Sequence, residues 1–152
     1  MIGTEDKPYC IIDILPEQVP MYSPGRYFEV ERYFRSRLDE IIRKFAYFLI
    51  KLNCYCHLEV GRDGENYTGD FAPEALERFF QEANSSPDPL YIRVNSSDAV
   101  FVYANGDHYM TLYEPDSELL NLVRSLASAE GLFVWSPPST PTDPPSLGLS
   151  IR

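Results

Sequence analysis

The chain has only three cysteines, two histidines and one tryptophan among its 152 residues. Three cysteines cannot build a disulfide scaffold, and an odd number leaves at least one thiol unpaired. No apolar run approaches the roughly 18–20 residues that a membrane-crossing helix needs. The stretch Met1 to Lys7 has neither a basic nor an apolar region, so no signal peptide is expected. With the sparse cysteines, this points to a cytoplasmic protein without membrane association. There is no repeat at a solenoid period. No G-x-S-x-G nucleophile elbow occurs, and no glycine run leads into G-K-[ST].

Basic charge is also scarce. Thirteen bases face 23 acids, for a net charge of −10. Such a field repels phosphate, so direct nucleic-acid binding is not expected. The imbalance is uneven. Arg26 to Lys51 holds seven bases and four acids, whereas His57 to Glu130 holds four bases and fourteen acids. One reading is an acidic face that steers towards a basic partner. The other is a solvated surface with internal complementarity between the two segments.

What the chain does have is core material. Hydrophobic residues make up 44% of it, including 11 tyrosines and nine phenylalanines. A chain this long buries roughly 70% of its unfolded surface, enough for a core without metal or disulfides. Three segments are expected: a disordered lead over 1–8, a single domain over 9–136, and a disordered Pro/Ser/Thr tail over 137–152. The tail has five prolines in 16 residues. Its P-S-T-P lacks flanking bases and reads as a tether.

Periodicity gives the elements. Tyr9 to Leu15 reads as a strand, and Pro16, Pro20 and Pro24 enforce a loop after it. Ser23-Pro24 fits a helix start. The apolar series from Tyr27 to Leu52 then follows one face of a long helix with a bend near Ser36. Glu31–Arg35, Asp39–Arg43 and Glu40–Lys44 would support it at i,i+4 spacing. Asn53 ends it, and Cys54 to Val60 alternates as a strand. A turn-rich acidic loop follows at 61–66, then a helix from Pro73 to Ala83. Leu90 to Val94, Ala99 to Tyr103 and His108 to Tyr113 form a three-strand meander. Asn105-Gly106 joins its last two strands by a type I′ turn pairing Ala104 with Asp107. This would set Phe101, Tyr103, His108, Met110 and Leu112 on one face. Pro115-Asp116 starts the last helix, Gly131 stops it, and Leu132 to Trp135 is a final strand. The order β-α-β-α-β-β-β-α-β predicts an α+β domain, with one long and two shorter helices on a mostly antiparallel sheet.

Candidate chemistry is thin. Cys54-x-Cys56-His57 lies on a predicted strand, where the two sulfurs share a face and His57 points away. Zinc needs convergent ligands, usually at C-x₂₋₄-C spacing on a turn, so these cysteines read as small apolar residues. Asp63, Glu65 and Asp70 lack the calcium-loop spacing D-x-[DN]-x-[DN]-G. His108 beside Asp107 could act as an acid–base pair, but nothing places a nucleophile nearby. No cofactor and no metal is indicated. The tyrosines serve either an aromatic core or a contact surface.

The composition therefore favours a small acidic binding or regulatory protein without catalytic activity, in the manner of an immunity factor, inhibitor or adaptor. Its partner would be a protein, with a basic surface as the fitting complement. The candidate binding surface joins Asp63, Glu65 and Asp70 to Asp107 and His108. One alternative is an enzyme or small-ligand binder with a pocket between the sheet and the long helix, lined by His108, Tyr103 and Cys56. Another is an acidic mimic that blocks a nucleic-acid-binding protein.

Overall fold

The apolar run at the start of the domain pairs as strand β1, Tyr9–Asp13. In the computed structural model, residues 7–20 and 25–137 are described. The expected helix start at Ser23-Pro24, and the expected disorder of 1–6 and 138–152, lie outside them. Lys7 and Pro8, assigned to the lead, are tied down: Glu114 N donates to Pro8 O at 2.8 Å, and Lys7 pairs with Glu114 at 3.6 Å.

The long helix is two helices, α1 (Arg26–Arg35) and α2 (Leu38–Leu52). The expected bend at Ser36 is a full break. The Ser36 hydroxyl donates to Tyr33 O at 2.6 Å, and Arg37 adopts φ −125°, ψ 36°. Serine competes for helical carbonyls in this way. Burial differs sharply across the break. α2 buries seven residues, including Ile41, Phe45, Phe48 and Leu52, while α1 buries only Tyr27. Among the described residues, none of the three predicted i,i+4 charge pairs closes. Tertiary partners win instead: Lys44 Nζ donates to Glu130 O at 3.2 Å, and Lys51 pairs with the Glu130 carboxylate.

The predicted strand at Cys54–Val60 begins late. Helical turn bonds continue through Cys56 N→Leu52 O, and β2 spans only Leu58–Gly61. A two-residue strand β3 (Tyr67–Thr68), not foreseen from the sequence, pairs with it. Then come α3 (Ala75–Ala83), β4 (Leu90–Val94), β5 (Val100–Tyr103), β6 (Tyr109–Tyr113), α4 (Ser117–Ala129) and β7 (Phe133–Trp135). The domain is thus α+β, with an antiparallel sheet in the order β3-β2-β4-β5-β6-β1-β7.

The meander is present, but its last turn differs from the prediction. Only Gly106 of the Asn-Gly pair has positive φ (80°), with Asp107 N bonded to Ala104 O at 3.1 Å. That is the type II pattern, not type I′. Val102 faces Thr111 rather than Tyr109, a shift of two residues. Because side chains alternate with period two, the shift leaves every strand residue on its predicted face. Phe101, Tyr103, Met110 and Leu112 are all buried.

Helices α2, α3 and α4 close over that face. Phe45, Phe80 and Tyr103 meet with ring centroids 4.9–5.9 Å apart, and Phe48 meets Phe101 edge-on at 5.7 Å. Each fully buried large apolar side chain contributes about 1.5–3 kcal/mol. At the end of α4, Gly131 (φ 75°) lets Leu132 N reach Ala127 O and Gly131 N reach Ser128 O. This is a Schellman stop, as the glycine predicted.

Candidate functional site

Antiparallel pairing sends the β4–β5 turn, the end of β6 and the start of β2 to one end of the sheet. The loop from α2 and the first turn of α4 arrive there too. Between them lies an open groove of about 520 Å³. Leu119, Leu122 and Val94 give it an apolar floor, with Tyr55 and Cys56 on one wall. Four carboxylates line it: Asp98 from the turn, Glu114 and Asp116 from the β6–α4 connection, and Glu118 from α4. Asp116 is partly committed, since it caps α4 by accepting from Leu119 N at 2.8 Å. Tyr55 is 69% exposed. Burial pushes the Cys56 thiol above its ordinary range, so it is a neutral wall residue.

The backbone around the groove is strained. Asn95, Ser96 and Glu114 all have φ between 52° and 54°. Asparagine tolerates this region; serine and glutamate adopt it less readily. Asn95 is pinned from both sides, because its N–H donates to His57 O (2.7 Å) and its Oδ1 accepts from His57 N (2.8 Å).

The opposite end of the sheet holds most of the surface predicted from the sequence. Asp63 and Glu65 sit in the loop after β2, and Asp107 and His108 sit between β5 and β6. Strands β4 and β5 separate β2 from β6. Asp63 is mainly a turn builder: its carboxylate accepts from Glu65 N, Asn66 N and Asn66 Nδ2 at 2.8–2.9 Å, which lowers its pKa to about 2. Burial raises Asp107 to about 6, against the pull of His108 and Arg35. His108 is only 4% exposed, so it offers little to a surface. Asp70 follows Gly69, whose backbone packs against the His57 ring and Glu59, towards the groove end. The five residues do not form one patch.

His108 instead sits in a buried chain of hydrogen bonds that includes a residue not singled out from the sequence, Asp13. His108 Nδ1 lies 3.2 Å from Asp13 Oδ1, and the other Asp13 oxygen accepts from Trp135 Nε1 at 3.2 Å. On its other side, His108 Nε2 lies 3.2 Å from the Tyr27 hydroxyl. Asp13 is fully buried. A buried carboxylate is tolerated only with partners of this kind. The available signal was an acid inside the run YCIIDIL.

The three residues proposed for an interior pocket do not meet. Tyr103 is core, with its hydroxyl on Asn84 (3.0 Å). Cys56 lines the groove, and His108 lies at the other end of the sheet. The space between sheet and α2 is occupied by Phe45, Phe80 and Tyr103. Among the described residues, no group of three or more His, Cys, Asp or Glu side chains is placed to hold a metal ion, and no helix is long and apolar enough to cross a membrane. No family model, curated protein or solved structure matches the chain.

Proposed function

We propose that this is a small acidic binding protein that regulates a protein partner without catalysing a reaction, and that the groove is where the partner docks. The acidic groove is the observation that carries the reading. Four carboxylates beside an apolar floor and an exposed tyrosine suit a segment that presents lysine or arginine on an apolar stem. Aromatic anchors rimmed by charge are typical of protein interfaces. The seclusion of His108, which is bonded to the buried Asp13 carboxylate, supports the same reading. The acids concerned are Asp98, Glu114, Asp116 and Glu118, not the five predicted from the sequence. Their signal was the run Glu114-Pro115-Asp116-Ser117-Glu118, but only the topology brings Asp98 beside it.

The test compares capture from the native host's lysate by the wild-type chain and by the triple variant Asp98→Asn, Glu114→Gln, Glu118→Gln. Asp116 is spared because it caps α4. The captured protein is then purified and titrated against both forms at low and moderate salt. The expected result is at least a tenfold weaker complex for the triple variant, and a wild-type complex that weakens as salt rises. Asp63→Asn with Glu65→Gln, at the other end of the sheet, should leave affinity unchanged. Equal affinity for the wild type and the triple variant, or no stoichiometric partner at any salt, overturns the proposal.

A further inference from the structure

Beyond Pro137 the sequence runs on through residues 138–152, and its character changes part-way. Residues 138–146 hold four prolines and no large apolar side chain besides them. Residues 147–152 read Leu-Gly-Leu-Ser-Ile-Arg. At the period of an extended chain, Leu147, Leu149 and Ile151 share one side. From Pro144 onward there is one base, Arg152, and no acid. An apolar stem with a single arginine is the chemistry that the groove suits.

The sheet topology directs this segment to the groove. Strand β7 runs antiparallel to β1, with Phe133 opposite Asp13 and Trp135 opposite Ile11. The chain therefore leaves β7 towards the Tyr9 end of β1, where Tyr9 faces Tyr113 and Glu114 N meets Pro8 O. Glu114 stands on the lip of the groove. Only β1 separates β7 from β6, so the crossing is two strand spacings, about 10 Å. The spacer 138–146 reaches about 28 Å at about 3.1 Å per residue. That covers the groove as far as Asp98 in the β4–β5 turn. Leu147, Leu149 and Ile151 can then lie on the floor of Val94, Leu119 and Leu122, while Arg152 extends to the carboxylates at the rim. The smaller cleft between α4 and β7, about 280 Å³, is lined by Arg124 and by no carboxylate among the described residues, so it offers Arg152 no counter-charge.

We propose that residues 147–152 occupy the groove of their own chain and keep it closed until a partner displaces them. The inference rests on the groove being a docking site for a base on an apolar stem, and it adds how that site is regulated. A competitor tethered by a short flexible linker acts at an effective concentration in the mM range. An internal contact of about 0.1 mM then lowers a partner's apparent affinity about tenfold at about 1 mM effective concentration.

The test uses the full chain. Methyl-labelled wild type is searched by NMR for NOEs from Leu147, Leu149 or Ile151 to Val94, Leu119 or Leu122. The comparison is one chain carrying Leu147→Ser, Leu149→Ser and Ile151→Ser, all outside the packed domain. A fluorescent synthetic copy of residues 144–152 is titrated against both forms. The expected results are NOEs from the segment to the groove floor, and amide shift changes in the serine variant centred on Tyr55, Asp98 and Glu118. The peptide should bind the serine variant at least fivefold more tightly than the wild type. Adding Asp98→Asn, Glu114→Gln and Glu118→Gln to the serine variant should remove most of that affinity. Absence of NOEs to the groove, shift changes centred on the Arg124 cleft, or equal peptide affinity for the two forms overturns the proposal. So do NOEs found only between differently labelled molecules in a mixed sample, which would seat the segment of a second copy. None of these arms involves a partner, whereas lysate capture does, so the docking reading and its regulation fail separately.

Discussion

Asp107→Asn should make the protein more stable at neutral pH. The side chain sits half-buried in the β5–β6 turn, and burial raises its carboxyl from 3.8 to about 6. Its folded pKa thus lies above its unfolded one. The linked stability is fully present below about pH 3.8 and is lost as pH rises through about 6. At pH 7.5 the fold therefore bears the cost of an ionised carboxylate. At about 1.36 kcal/mol for each tenfold in proton affinity, the ceiling is about 3 kcal/mol. Partial solvation screens the charge, which brings the expected gain to about 1–2 kcal/mol. Asparagine matches the shape, and the turn bond Asp107 N→Ala104 O is a backbone bond that survives the change. Urea unfolding at pH 7.5 and pH 4.0 is the assay, with unchanged m-values required. The gain should appear at pH 7.5 and shrink to a few tenths of a kcal/mol at pH 4.0. A variant equal to or less stable than wild type at pH 7.5, or a gain of equal size at both pH values, would refute the reasoning.

Three further outcomes follow from the same contacts. Asn84→Ala strands the buried Tyr103 hydroxyl and the Gly106 N–H, both bonded to Asn84, and should cost about 2–4 kcal/mol; a double-mutant cycle with Tyr103→Phe should show coupling of about 1 kcal/mol, and additivity would contradict the pairing. Phe80→Ala removes a fully buried ring packed on Phe45 and Tyr103, so a loss of about 3–5 kcal/mol is expected in denaturant unfolding, whereas a loss below 1 kcal/mol would mean that the site is loosely packed. Burial also raises Tyr103 to about 12, so its contribution should hold below about pH 10 and fade as pH rises towards 12; absorbance of tyrosinate during alkaline titration should show one late-ionising group that Tyr103→Phe removes.

The parts of the fold that were legible in the sequence are those where local rules and tertiary packing agree. Asp116 caps α4 and Gly131 stops it because cap geometry is a property of a few adjacent residues. The faces of β5 and β6 were readable despite a wrong register, since a slip of two preserves the alternation. The failures came where distant groups compete. Lys44 leaves its expected partner Glu40 for the carbonyl end of α4, where Lys51 also meets the Glu130 carboxylate. Cys54 to Cys56 alternate in sequence like a strand, but the last turn of α2 runs on through them. Asp13 was overlooked because an acid in an apolar strand becomes meaningful only once His108 and Trp135 are brought to it, 95 and 122 residues away.

The two ends of the sheet carry polar groups under opposite constraints. At the His108 end, the buried side chains of Asp13 and His108 are turned onto Trp135, Tyr27 and each other. At the groove end, the carboxylates of Asp98 and Glu118 face open space, and the chain around them adopts backbone angles that cost of order 1 kcal/mol or more at a non-glycine residue. Glu114 is the clearest case. Folding alone would be served by glycine at φ 52°, yet a glutamate stands there, held by Pro8 O through its N–H and only loosely by Lys7 through its side chain. An exposed ion pair at 3.6 Å does not offset that strain. A strained glutamate at the lip of the groove supports the proposal that its carboxylate serves a docked partner rather than the fold.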